Sequence, residues 1–192
     1  QTIKLVFEWL EKSVKTADPE AREKMHNAST MAGMAFANAF LGMSHSMAHK
    51  IGAVHHTVHG RTNAILLPYV IRYNGTRPSK TTTWPKYNYW KADEKFQDIA
   101  KMLGLPHSTP EEAVEAYAKA VYDLGVAVGI KMNFKDQGID EKVWKDSLHE
   151  IALLAYEDQC SPANPRLPMV ADMEEIMADA YYGYAERPGR RK

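Results

Sequence analysis

Cysteine is nearly absent from this sequence of 192 residues: Cys160 stands alone, so no disulfide can close within the chain. A reducing, cytoplasmic setting is the expectation. Neither sign of charge is in excess. Lys plus Arg and Asp plus Glu number 24 each, which gives no reason to expect DNA or RNA as a partner. No apolar run approaches the ~20 residues that cross a bilayer, so no membrane partner is expected. The opening QTIKLVFEWLEKSVK is amphipathic and carries Glu8 and Glu11, unlike a signal peptide. There is no G-x-G-x-x-G and no βαβ pattern to grip a dinucleotide pyrophosphate. H-E-x-x-H is missing as well, which argues against a zincin protease. An initial methionine is also lacking: a chain that opens on Gln1 reads as processed, excised, or the downstream part of a longer polypeptide.

What is present is helical periodicity almost everywhere. Ile3, Val6, Phe7 and Leu10 make one apolar stripe at i, i+3, i+4 and i+7. Asp18 followed by Pro19 reads as an N-cap with proline at the first helical position. The helix they open is rich in Ala, Gly, Ser and Met, a composition that lets another backbone approach. Thr109 with Glu112 predicts a capping box, Asp140 caps the following helix, and MVADMEEIMADAYYGY reads as a last amphipathic helix. No stretch alternates at period two. The longest irregular segment is Asn74 to Trp90, and residues 184–192 form a basic tail. The expectation is one all-α domain over residues 1–192.

Five histidines crowd one stretch: His45, His49, His55, His56 and His59 fall within fifteen residues. His45 and His49 are four apart and share a helix face. His59 lies fourteen residues beyond His45, which is about 21 Å of rise in a straight helix, too far for two ligands of one ion. If these two share a metal, the chain must turn between them, with Gly52 and the run Val54 to Val58 as candidate places. His59 and Gly60 would then open the next helix, with a kink expected at Pro68. His55 and His56 are neighbours and point in different directions, so at least one should face solvent. His26, His107 and His149 read as structural. Spacing alone thus supports an incomplete metal site, because a catalytic metal needs three or four protein ligands.

The stretch GMAFANAFLGMSHSMAHKIGAVHHTVHGRTNAILLPYVIRYN resembles the signature of the iron-containing alcohol dehydrogenases. NAFLGMSHSMAHK, HGRTNAILLPYVIRYN and YEDQCSPANPRLP are most similar to the alcohol dehydrogenase part of the bifunctional aldehyde–alcohol dehydrogenases. The resemblance runs from Gln1 to about Gly183. It implies the family's dehydroquinate synthase-like helical domain, with an N-terminal nucleotide-binding domain absent from this chain. It also implies a divalent metal held by an aspartate and three histidines, two of which match His45 and His59. The other two ligands, a D-x-x-x-H pair, would lie before Gln1. His49 matches a residue near the nicotinamide and the substrate that assists proton transfer. Phe36 and Cys160 match positions lining the substrate pocket, although ordinary core packing explains them equally well on sequence alone.

The implied activity is interconversion of a primary alcohol and an aldehyde, ethanol and acetaldehyde on the closer resemblance, with Fe(II) as Lewis acid and NAD as hydride carrier. The same resemblance implies homo-oligomers or filaments. With two ligands of four and no nucleotide domain, the isolated chain is expected to be inactive. Two alternatives stay open: a zinc-dependent, glycerol dehydrogenase-like enzyme of the same fold, and a non-enzymatic helical assembly module.

Overall fold

The computed structural model describes residues 1–78 and 90–183. Among them run eight α-helices: α1 (Thr2–Thr16), α2 (Pro19–Ala39), α3 (Met43–His55), α4 (His59–Gly75), α5 (Ala92–Met102), α6 (Pro110–Ala127), α7 (Glu141–Tyr156) and α8 (Val170–Tyr182). A 3-10 turn covers Ser161–Ala163, and no strand occurs among these residues. The all-α expectation holds. None of these helices is long and apolar enough to cross a membrane. Of the segment expected to be irregular, Asn74 and Gly75 still belong to α4, residues 79–89 lie outside the described residues, and so does the basic tail.

Helix starts follow local side-chain chemistry. The Asp18 carboxylate accepts the Ala21 N–H at 2.9 Å, and Pro19 takes a position whose N–H would be unpaired anyway. Thr109 accepts the Glu112 N–H at 3.2 Å. The Glu112 carboxylate reaches back to the N–H of Ser108 at 2.7 Å, one residue before the cap, rather than to Thr109 as in a regular capping box. Asp140 accepts from both Lys142 and Val143, at 2.9 and 3.0 Å. α4 runs unbroken through Pro68, whose missing N–H leaves the Ala64 carbonyl without its usual donor. Beyond its end, the Trp90 indole donates to the Asn74 carbonyl at 3.1 Å.

α4 joins two cores. Ile65, Leu66, Tyr69 and Val70 pack with Met43, Met47 and Ile51 of α3, Ile151 and Ala155 of α7, and Met173 and Met177 of α8. Ile71 instead joins Val114, Tyr117 and Ala118 of α6, against which Ile3, Phe7, Phe96 and Ile99 rest half-buried. Burying each large aliphatic side chain contributes ~1.5–3 kcal/mol, so the first and larger cluster dominates the stability. It is extended by a stack in which Trp144 lies 4.8 Å from Phe134 and 5.3 Å from Tyr181, ring centre to ring centre.

Two glycines contrast. At Gly75 a Cβ would stand 2.5 and 2.7 Å from the methyl carbons of Val114, so α4 and α6 touch there only because the side chain is missing. At Gly33, within the small-residue stretch of α2, nothing lies within 4 Å, so the close backbone approach expected there is not made among the described residues. Gly75→Ala is therefore expected to destabilise by about 1–3 kcal/mol, since valine is stiff and cannot swing aside. Gly33→Ala is expected to stabilise by about 0.5–1 kcal/mol through helix propensity. Urea midpoints of the two variants should move in opposite directions from that of the parent chain.

Candidate metal centre

The histidine-rich stretch folds as two helices and a tight reversal. α3 stops at His56, which takes the left-handed conformation with φ 53° and ψ 35°, and α4 starts three residues later at His59. The break falls within the run Val54 to Val58, one of the two expected places, while Gly52 stays helical. A left-handed turn in a non-glycine residue costs roughly 1–2 kcal/mol, so the surroundings must over-determine it. They do so from both sides. The Thr62 hydroxyl donates to the Val58 carbonyl at 3.0 Å, which leaves the Thr57 hydroxyl to donate to Thr62 at 2.7 Å. The His55 ring stacks on Trp144 at 5.1 Å, with Nε2 3.1 Å from the Ser147 hydroxyl. Burial first, and His56 second, push the His55 pKa down, so the stacked ring is neutral. His56 faces solvent.

The other end of α3 has no capping side chain of its own, because its N-cap is Gly42. Asn164 supplies the acceptor: its Oδ1 takes the Met43 N–H at 3.2 Å, and its Nδ2 donates to the buried Asn74 at 2.7 Å. A Cβ at Gly42 would meet that Oδ1 at 2.7 Å, so glycine is required. Ser161 adds a second tie: its hydroxyl donates to the Ala155 carbonyl at 2.6 Å and accepts from the Ser46 hydroxyl at 3.0 Å.

With both ends of α3 held, three imidazoles converge. Ring centres lie 5.3 Å apart for His45 and His59, 5.3 Å for His49 and His59, and 6.1 Å for His45 and His49. Two imidazoles that bind one ion through nitrogens about 2.1 Å from it have ring centres about 4.6–5.3 Å apart. Distance thus admits two of the three pairs, and orientation separates them. Nitrogen lone pairs lie in the ring plane. His49 and His59 are stacked with planes 15° apart and cannot aim at a common point, whereas the planes of His45 and His59 meet at 53°. No hydrogen bond reaches the ring nitrogens of His45 among the described residues. Burial, then the nearby His59 and His49, lower its pKa and keep it in the neutral form that metals bind. His59 sits at the exposed start of α4 with Nε2 3.3 Å from the Asn63 amide, and the Ser44 hydroxyl donates to Asn63 in turn at 3.0 Å. The chemistry and spacing of His45 and His59 fit a divalent ion of the iron or zinc type.

His49 has a different partner, one that sequence reasoning missed. Its Nδ1 lies 3.2 Å from Oδ2 of Asp158, and the Lys50 ammonium lies 3.1 Å from the same oxygen. Oδ1 accepts the Cys160 N–H at 3.0 Å. Burial raises the Asp158 pKa, but the Cys160 N–H, Lys50 and His49 outweigh it and hold the carboxyl well below the usual range. Ligand atoms of His49, Asp158 and Cys160 lie within 4.8 Å of one another. They make a poor cation site all the same, because an ammonium already occupies the carboxylate. The Cys160 thiol, raised by burial and then by Asp158, also keeps its proton. Of the two residues expected in a substrate pocket, Cys160 is sealed inside beside Asp158, while Phe36 stands 48% exposed near the end of α2. The 240 Å³ cavity lined by Tyr69, Tyr73, Arg166 and Asp172 involves none of the three histidines. His107 donates to the Leu105 carbonyl, His149 pairs with Glu174, and His26 is exposed on α2.

Residues 1–181 match the model of the Fe-containing alcohol dehydrogenase family, C-terminal. The chain belongs to this family. It is 79% identical over 192 residues to an aldehyde-alcohol dehydrogenase of Streptococcus pneumoniae, taking up all of this chain and 22% of that protein. Over 185 residues it is 59% identical to aldehyde-alcohol dehydrogenase 2 of Entamoeba histolytica, covering 96% of this chain and 21% of the relative. The chain therefore spans about a fifth of the length of these curated relatives. A solved 1,3-propanediol oxidoreductase superposes with a TM-score of 0.79 at 32% identity, over 94% of this chain and 43% of that one. Membership in the iron family does not favour the zinc-dependent, glycerol dehydrogenase-like alternative.

Asp158 has a measurable signature in acid. Its folded pKa lies below the unfolded one, so its contribution to stability is complete above about pH 4 and is lost as the pH falls toward the folded value. Asp158→Asn should lower the urea midpoint at pH 6, and the gap to the parent chain should narrow steadily below about pH 4.

Proposed function

We propose that this chain is the metal-holding helical part of an iron-dependent, NAD-linked alcohol dehydrogenase that interconverts a primary alcohol and its aldehyde. The observation that carries the reading is the meeting of His45 and His59, two half-free imidazoles at bonding spacing, in a chain of this family. These two would hold the metal, and an aspartate and a further histidine, arranged D-x-x-x-H on a preceding part of a longer polypeptide, would complete the set. The bound metal supplies Lewis acidity at the alcohol or aldehyde oxygen.

His49 lies against both histidines and would carry the proton that the alcohol loses or the aldehyde gains, in a range where imidazole exchanges protons readily. Phe36, exposed on α2, would line the substrate pocket, and Cys160, buried beside Asp158, would contribute to the packing of its wall. A nucleotide-binding domain, N-terminal in the same polypeptide, would grip NAD and close over the exposed Met34, Phe36 and Phe40. Ethanol and acetaldehyde are the proposed pair, a reading supported by the similarity to proteins named aldehyde-alcohol dehydrogenases. A cytoplasmic setting and self-association into oligomers or filaments belong to the same reading.

Two measurements test it. In the full-length polypeptide, replacing His45 and His59 together by alanine should abolish stoichiometric iron; an unchanged iron content would overturn the ligand assignment. The 192-residue chain by itself should show no NADH-dependent reduction of acetaldehyde, and detectable turnover would mean that the site completes itself without further residues.

A further inference from the structure

Asp158 is held as rigidly as the histidine that it meets. Its N–H donates to the Ala155 carbonyl at 3.2 Å, and its own carbonyl accepts the Ser161 N–H at 3.0 Å, so the chain leaving α7 has little freedom at this residue. One carboxylate oxygen is taken by the Cys160 N–H. The other faces α3, where it meets Lys50 and His49, and the side chain is only 8% exposed. An ionised carboxylate can only accept hydrogen bonds. The 3.2 Å contact therefore requires the proton to sit on Nδ1 of His49.

We infer that Asp158 is a positioning residue that locks His49 in its Nδ1–H tautomer and leaves Nε2, on the opposite edge of the ring, as the nitrogen with the free lone pair. The pairing also fixes the direction of the ring, because it is anchored on one side by Asp158 and stacked on the other against His59. Lys50 supports the arrangement by holding the same oxygen, which keeps Asp158 ionised as a neighbouring imidazole changes charge. For catalysis the inference rests on the function proposed for this site. A proton leaving the alcohol arrives on Nε2, the ring becomes imidazolium with its Nδ1–H still donated, and Asp158 remains a carboxylate throughout. In the reverse direction the same proton returns from Nε2 to the aldehyde side.

The tautomer can be read without metal, cofactor or turnover. In the 192-residue chain labelled with ¹⁵N-histidine, long-range ¹H–¹⁵N spectra in alkaline buffer should show His49 with a protonated Nδ1 and a pyridine-type Nε2. In Asp158→Asn, whose amide can donate to Nδ1, the proton should move to Nε2. A parent chain with Nε2 protonated overturns the inference, and so does a tautomer left unchanged in the variant. In the full-length polypeptide Asp158→Asn should retain its iron and lose about 10- to 100-fold in kcat. Loss of the iron along with the activity would instead make Asp158 a general support of the fold. The spectra stand apart from the proposed reaction: a wrong tautomer removes Asp158's role and leaves the iron reading intact, while a failed iron test leaves the tautomer standing.

Discussion

Fourteen residues separate His45 from His59, and an unbroken helix would hold them about 21 Å apart. The left-handed conformation of His56 removes that distance by ending α3 and letting α4 begin alongside it. Everything that makes the imidazole cluster follows from this reversal. The strain is met by contacts that have nothing to do with the cluster itself. The ring of His55 rests on Trp144, which is itself stacked on Phe134 and Tyr181 inside the main core. The turn is thus tied to the larger of the two cores among the described residues, and His55, held by Trp144 and Ser147, does much to keep two other histidines together.

Buried polar pairs secure the opposite end. Asn164 stands in for the missing cap of α3, pairs with Asn74 of α4, and lies in the short connection that also carries Asp158, Cys160 and Ser161. One connection between α7 and α8 therefore sets where α3 starts and which partner His49 meets. Such groups are costly to bury unless each finds its hydrogen bond, and once paired they admit few alternative arrangements. The result is a cluster whose members differ in environment although they share a residue type. Among the described residues the His45 ring has no hydrogen-bond partner, His59 has an amide, His49 has a carboxylate and His55 has a hydroxyl. These differences divide their chemistry.

Much of the local architecture was legible in the sequence because the interactions that set it are local. Asp18, Thr109 and Asp140 start helices through bonds to N–H groups two or three residues away, a reach that spacing reveals directly. The apolar stripe of the first helix was legible on the same grounds, whereas the break before His59 followed only on the supposition that His45 and His59 share a metal. Where spacing misled, the outcome turned on local geometry that spacing alone does not carry. The small residues of α2 meet no second backbone at Gly33, and the Glu112 carboxylate finds Ser108 ahead of Thr109.

The candidate site divides along the same line. His45 and His49 share a face by helical period, and the resemblance to a family marked His59 as their companion. Asp158 carried no such mark, being 109 residues from His49, and neither did Asn164, 121 residues from the N–H that it accepts. By itself the sequence determined the helices, most of their caps and the residue types able to hold a metal, because each depends on neighbours along the chain. Only the tertiary structure decided which imidazoles face one another, which of them is paired to a buried carboxylate and which is left free. Those outcomes depend on how α3, α4 and the connection after α7 pack, and packing joins residues that sequence order keeps far apart.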